Sequence, residues 1–196
     1  MAQGIAFCGL NGSGKSTLAH ALAKATGYFE MDAEDYYFPE QKSSRQQALE
    51  GAENIKTYHL GDVPFSVPRT KDEVQAAMLA DMQAHPQFVL AGVTMRWRSE
   101  ILERVVLVFW VQTPAEERVR RIQMREEFRF GDRVLPGGDL YEQQYEFRKM
   151  AFERDIGAVE QSLQGLKCPV VRLDGTLPVE QNLQTILERL VCMTEK

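Results

Sequence analysis

The sequence predicts an α/β fold: five parallel strands in one sheet, with helices on both faces in three layers. Three observations predict it. Five short apolar runs, at 5–8, 28–31, 88–91, 105–111 and 170–173, are mostly rich in the valine, isoleucine and aromatic residues that strands prefer. Segments of helical periodicity separate them, and strands that alternate with helices pair in parallel. A glycine-rich turn follows the first run directly and opens the first helical segment. The 196 residues, 44% apolar and 26% charged, suit one domain spanning 1–196 with a sizeable core.

Taken in order, the run 5–8 ends at Gly9 and a helix is expected over 16–26. There Leu18, Ala21, Leu22 and Ala25 share a stripe, and Gly27 supplies the stop. After the strand at 28–31, residues 36–87 form an insert that carries "GDVPFSVPRT" and a helix at 71–84, with Val74, Ala77, Met78 and Met82 inward. The strands at 88–91 and 105–111 precede a long charged helix at 115–130. A second insert, 124–148, contains "GDRVLPGGD" and reads as a lid. A further helix is expected over 140–164. Pro178 then opens a last helix at 179–192, with Leu183, Ile186, Leu187 and Leu190 inward. Both inserts lie over the carboxyl edge of the sheet, where ligands bind in such folds.

The net charge of −5 argues against broad binding to nucleic-acid polymers. No apolar run is long enough to cross a bilayer, so no membrane partner is expected. The start, Met-Ala-Gln-Gly, lacks a secretory pattern and has Ala2 where myristoylation needs glycine. Cys8, Cys168 and Cys192 are widely spaced and read as inert thiols of a reducing cytoplasm. His20, His59 and His85 are isolated, and no metal cluster is suggested.

The turn "GLNGSGKST", residues 9–17, fits Gly-x-x-x-x-Gly-Lys-Ser. A loop that wraps phosphates must aim successive backbone N–H groups inward, which requires glycine where a side chain would clash. Asn11, Gly12, Ser13, Gly14, Lys15, Ser16 and Thr17 are therefore the expected nucleotide-binding residues. Lys15 brings a positive charge to the β- and γ-phosphates. Ser16 offers its hydroxyl to Mg²⁺, and the following helix turns its positive end to the anion. ATP and Mg²⁺ are the expected cofactors.

Neither a guanine-reading Asn-Lys-x-Asp nor a switch Asp-x-x-Gly occurs, and the third strand ends "FVLAGV" without an acid. The acids come after the second strand instead, in "FEMDAEDYYFPE". Asp32 is expected at that strand's tip, beside the phosphate-loop strand, with Asp35 three residues on. Two carboxylates facing phosphates can divide two tasks, orienting an acceptor hydroxyl and holding magnesium. Asp32 is also placed to cap a helix.

The phosphate loop, "DAEDYY", the arginine-rich "ERVRRIQMREEFRFGDR" and "RLDGTLPVEQNLQTI" together resemble the small P-loop kinases, adenylate-kinase-like and uridine-kinase-like. The resemblance spans most of the chain, although only the loop is highly specific. It implies a P-loop NTPase sheet of order 2-3-1-4-5. It also implies that Asp32 or Asp35 orients the acceptor hydroxyl, with Tyr36 and Tyr37 as nearby rings. The chain departs from that pattern after the third strand. "AGVTMRWR" stands where adenylate-kinase-like enzymes carry Asp-Gly-x-Pro-Arg, and Arg96 and Arg98 are the arginines available there.

Arg118, Arg121, Arg125 and Arg129 share one helix face at spacings of three and four, and Arg133 follows Gly131. Arginines that close over a moving phosphoryl group neutralise its charge. Arg121 and Arg125 are the first candidates, while Arg118 reads as structural. The interleaved Glu117, Glu126 and Glu127 also fit a solvated face. In the first insert Tyr36, Tyr37, Phe38, Tyr58 and Phe65 supply aromatic surface, with Trp97 beyond it. Arg45 and Arg69 supply charge, Arg69 being the best anion site. "LDGTLP", with Gly175, resembles the loop that borders the adenine in related kinases, and it equally fits a simple strand-ending turn. The first reading is an ATP-dependent phosphotransferase acting on a small-molecule acceptor, a nucleoside or nucleotide. A sugar or other metabolite hydroxyl is the alternative acceptor, and a regulatory ATP-binding module the alternative class.

Overall fold

In the computed structural model, which describes residues 3–50, 64–65 and 67–194, five strands form one all-parallel sheet of order β2-β3-β1-β4-β5. They are β1 (Gln3–Cys8), β2 (Phe29–Asp32), β3 (Gln87–Gly92), β4 (Val105–Gln112) and β5 (Val170–Asp174). Every expected strand is present; four are lengthened by one or two residues, and β2 keeps its length shifted by one, to 29–32. Alternation along β1 shows how the sheet feeds two cores. Ala6 and Cys8 join Met78, Met82, Leu90, Val108 and Trp110 on one face, while Ile5 and Phe7 join Leu18, Leu22, Leu107, Phe109 and Ile186 on the other. Phe7 and Phe109 stack across the strands at 5.2 Å.

The first face is covered by α4 (Lys71–Ala84), α5 (Ser99–Leu102) and α8 (Gly157–Leu163); the second by α1 (Lys15–Thr26) and α9 (Val179–Thr194). Thr70 caps α4 in a reciprocal box with Glu73. The buried stripe of α1 is Leu18, Ala19, Leu22 and Ala23, so Ala21 and Ala25 do not belong to it, and Ala25 is exposed. Ala19 and Ala23 are buried in the same cluster as Leu18 and Leu22.

Helix α6 (Ala115–Phe130) runs as expected. The single helix expected over 140–164 is two, α7 (Tyr141–Glu153) and α8. The break has a local cause. Arg154 takes extended backbone (φ −62°, ψ 120°), and the Asp155 carboxylate accepts the Gly157 N–H at 3.0 Å, so a side chain replaces the helical bond. The first insert adds α2 (Ala33–Tyr37), a 3₁₀ turn (Pro39–Gln41) and α3 (Lys42–Leu49). Tyr58, His59 and the first residues of "GDVPFSVPRT" lie outside the described residues. A second 3₁₀ turn (Gly131–Val134) joins α6 to the chain that leads into α7.

Sheet order also corrects the placement of Asp32. Strand β3 lies between β2 and β1, so Asp32 pairs in register with Ala91 rather than sitting beside the phosphate-loop strand. Its side chain nonetheless reaches the cavity that Lys15 lines.

Candidate active site

The loop between β1 and α1 owes its shape to close backbone packing. Gly12 has φ +79°, and a Cβ there would come within 2.4 Å of the Arg118 carbonyl oxygen. Gly175 backs the loop, where a Cβ would meet Thr113 Oγ1 at 2.1 Å and the Ser13 carbonyl at 2.5 Å. The Thr113 hydroxyl donates to that carbonyl at 3.0 Å. Asn11 is held from the far side: Arg118 donates to its carbonyl at 3.3 Å and to that of Ala151 at 2.8 Å, and Arg154 donates to its side-chain oxygen at 3.1 Å. Arg118 is thus a structural clamp on the loop. The break after α7 delivers Arg154, which sequence reading missed.

Two adjoining cavities meet at Lys15. One, of about 270 Å³, is lined by Gly12, Gly14, Lys15, Ser16, Thr17 and Arg121, with Glu34, Arg125 and Arg129 among the facing residues. The other, of about 530 Å³, holds Asp32, Glu34, Arg96, Arg125 and Glu126 within a wall of Tyr37, Phe38, Phe65, Trp97, Phe130 and Phe147. Phe65 is held at φ +59°, in edge contact with Phe38 at 5.2 Å and with the Arg129 guanidinium 5.5 Å from its ring. A bulky residue in that region is strained, and strain of this kind gathers at binding sites.

Burial pushes the Lys15 ammonium below the ordinary lysine range; Asp32 and Glu34 oppose the shift, and Arg125 and Arg154 add to it. Asp32, 3% exposed, caps α2 by accepting the Glu34 N–H at 2.9 Å through Oδ1. Its Oδ2 is buried without a hydrogen bond among the described residues, 3.7 Å from the nearest Arg45 nitrogen. Capping therefore uses one oxygen and leaves the other without a hydrogen-bond partner there.

Asp35 lies elsewhere. Arg45 donates to both its oxygens, at 2.7 and 2.5 Å, and reaches Glu30 at 3.2 Å. Burial raises the Asp35 carboxyl while Arg45 pulls it down, and the three surrounding carboxylates hold Arg45 charged. His20 closes the outer end, 2.7 Å from Glu30. Asp35 is not on the wall of either cavity, and Arg45 lines the smaller one with its charge already matched.

Tyr36 is likewise turned inward. Its hydroxyl donates to Asp81 at 2.5 Å, and burial, with Asp81, pushes its pKa above the tyrosine range. Tyr37 takes the place on the wall. Arg69 is exposed and off both linings, whereas Arg96 lines the larger cavity and donates to Gln161 at 2.6 Å. Arg121 borders the loop and pairs with Glu117 at 2.7 Å. Arg125 borders both cavities, with its Nε buried and unpartnered among the described residues. Arg129 bonds Gln41 and Ser44, and Arg133 pairs with Asp139 at 2.7 Å. Glu34, between the cavities, carried no sequence signal beyond its place in "DAEDYY".

Similarity to known proteins agrees with the fold. The chain is 24% identical over 198 residues to the uncharacterised protein YqaC of Bacillus subtilis (strain 168), covering 97% of this chain and 98% of that one. Its fold is similar to that of a sugar kinase from Janibacter sp. HTCC2649 (TM-score 0.55, 20% identity, 97% of this chain and 95% of the other). It is also similar to that of a shikimate kinase from Acinetobacter baumannii solved with shikimate (TM-score 0.54, 16% identity, 98% and 95%). Residues 5–130, which run from the phosphate-loop strand through the arginine helix, match the AAA domain family. The chain belongs to the AAA domain family, on the fold of the P-loop small-molecule kinases.

Proposed function

We propose that this chain is an ATP- and magnesium-dependent kinase that phosphorylates a hydroxyl of a nucleoside or nucleotide. The observation that carries the reading is Asp32. It is a buried carboxylate with one oxygen left over, in an aromatic cavity that meets a phosphate-loop groove at Lys15. The acceptor occupies the larger cavity and the ATP phosphates the smaller. The acceptor oxygen attacks the γ-phosphorus, the bond to the β,γ-bridging oxygen breaks, ADP leaves, and Asp32 Oδ2 takes the hydroxyl proton. Lys15, Arg121 and Arg125 offset the charge that builds on the phosphates. With Asp32 as base, Ser16 and Glu34 are the oxygen donors suited to magnesium, which neutralises β- and γ-phosphate charge when bound. Asp35 serves through Arg45, as a fixed counter-charge beside Asp32. Tyr37 and Phe38 offer stacking surface, and stacking on a rigid ring costs little ordering entropy. Lys71 and Arg96 on the same wall favour a second reading, a sugar or other metabolite hydroxyl beside an acidic group.

ADP release across nucleosides, nucleotides and sugars separates these readings. Acceptor-dependent ADP is expected, with Lys15→Ala reducing turnover by roughly 10²-fold or more while the fold is retained. Asp32→Asn should lower kcat about 10²- to 10⁴-fold. Tight ATP binding with no acceptor stimulation would instead indicate a regulatory module, and Asp32→Asn turning over normally would remove the base.

A further inference from the structure

We infer that Trp97 and Glu126 select the acceptor, and that it is a nucleoside whose base carries an exocyclic amino group; the inference rests on the kinase reading above. Two residues on the wall of the larger cavity each carry a buried polar atom with no hydrogen-bond partner among the described residues. Glu126, on α6, is 2% exposed; one oxygen accepts from Arg148 of α7 at 2.5 Å, and the other has no partner among the described residues. The indole N–H of Trp97, between β3 and α5, is also buried without an acceptor among them. Both residues line the cavity that Asp32 shares.

A buried donor or acceptor left unpaired is costly, so both groups are expected to find partners when the cavity fills. Together they ask for a ligand edge with one acceptor, for the indole N–H, and one donor, for the carboxylate. The aromatic wall asks that this edge belong to a flat ring. An amino group beside a ring nitrogen, as in cytosine or adenine, supplies that pair. An imide edge, as in uracil, offers its N–H flanked by two carbonyl oxygens, one of which would face the carboxylate and be repelled. Arg148 holds Glu126 in place and matches its charge from behind, so the free oxygen reads the base as a hydrogen-bond acceptor.

The test compares kcat/KM for cytidine against uridine and adenosine against inosine, which differ only at this edge. The wild-type protein is expected to prefer the amino member of each pair at least about tenfold. Glu126→Gln, whose amide brings a donor, should move both ratios toward uridine and inosine by about tenfold or more. Trp97→Phe, which keeps the ring and loses the N–H, should lower kcat/KM for cytidine and adenosine about tenfold. Equal use of both members by the wild-type protein overturns the inference, and that comparison needs no variant to fold. So do unchanged ratios in folded Glu126→Gln. Turnover with sugars alone overturns it and leaves the kinase reading standing. No acceptor-dependent turnover at all overturns the kinase reading itself.

Discussion

Lys15 is a cation that burial works against, and on the proposed reading it is kept for the phosphate it meets. Because its pKa is lowered in the folded protein, the folded chain releases that proton at lower pH than the unfolded chain. Between the lowered value and the ordinary one the unfolded state binds more protons, so this residue makes ligand-free stability rise as pH rises through that window. Lys15→Met should flatten that part of the pH–stability curve in urea unfolding, leave ligand-free stability at or above wild type, and abolish stabilisation by ATP. A loss of ligand-free stability without any pH effect would show that the ammonium is held by its carboxylates instead. The thiols follow the same logic. Burial pushes Cys8 up to about 12, while Cys192 is exposed, so not all three cysteines are sheltered. Iodoacetamide at neutral pH is expected to modify Cys192 and to reach Cys8 only after unfolding.

Helix α3 shows how an element can be fixed by charge. Arg45 ties it to Asp35 and Glu30 at the β2 edge, and Ser44 and Gln41 tie it to Arg129 of α6. Arg45→Ala strands the buried Asp35 without its partner and leaves Glu30 only His20, and should destabilise the protein by about 3–5 kcal/mol. Arg45→Lys should recover only part of this, since an ammonium cannot make the two-pronged contact. Urea unfolding measures the loss, and equal stability of Arg45→Ala and wild type would show the cluster to be idle. None of this was legible in the sequence, where Arg45 read as charge for an acceptor. An ion cluster joining residues 30, 35 and 45 has no periodic signature, unlike the β-branched runs and the heptad-like spacing of Leu183, Ile186, Leu187 and Leu190. The break between α7 and α8 is an intermediate case. "RDIG" contains the Asx turn and glycine that cause it, but the apolar period continues across it and hides the stop.

Over the whole molecule, the strands, the helices and the phosphate loop were legible because they are local: a strand, a glycine turn and a helix in sequence, repeated as β and α. The sheet order is not local and came from the resemblance to small P-loop kinases. The larger cavity was not legible, because its wall draws on β2, the first insert, the loop after β3, α6 and α7, and its lining groups are ordinary residues until packing buries them. On the proposed reading, filling the phosphate-loop groove should be felt globally. ATP at 100 times its dissociation constant stabilises a folded protein by about 2.7 kcal/mol. For a chain of this size, that should raise Tm by roughly 5–10 °C. The most direct test of the account follows label from γ-³²P-ATP in the presence of the nucleoside panel, with wild-type protein and Asp32→Asn. Label carried onto a nucleoside hydroxyl by the wild type, with transfer at least about a hundredfold slower in the variant, is the predicted result. Label released only as inorganic phosphate, or moved onto acceptor equally well by both proteins, would contradict it.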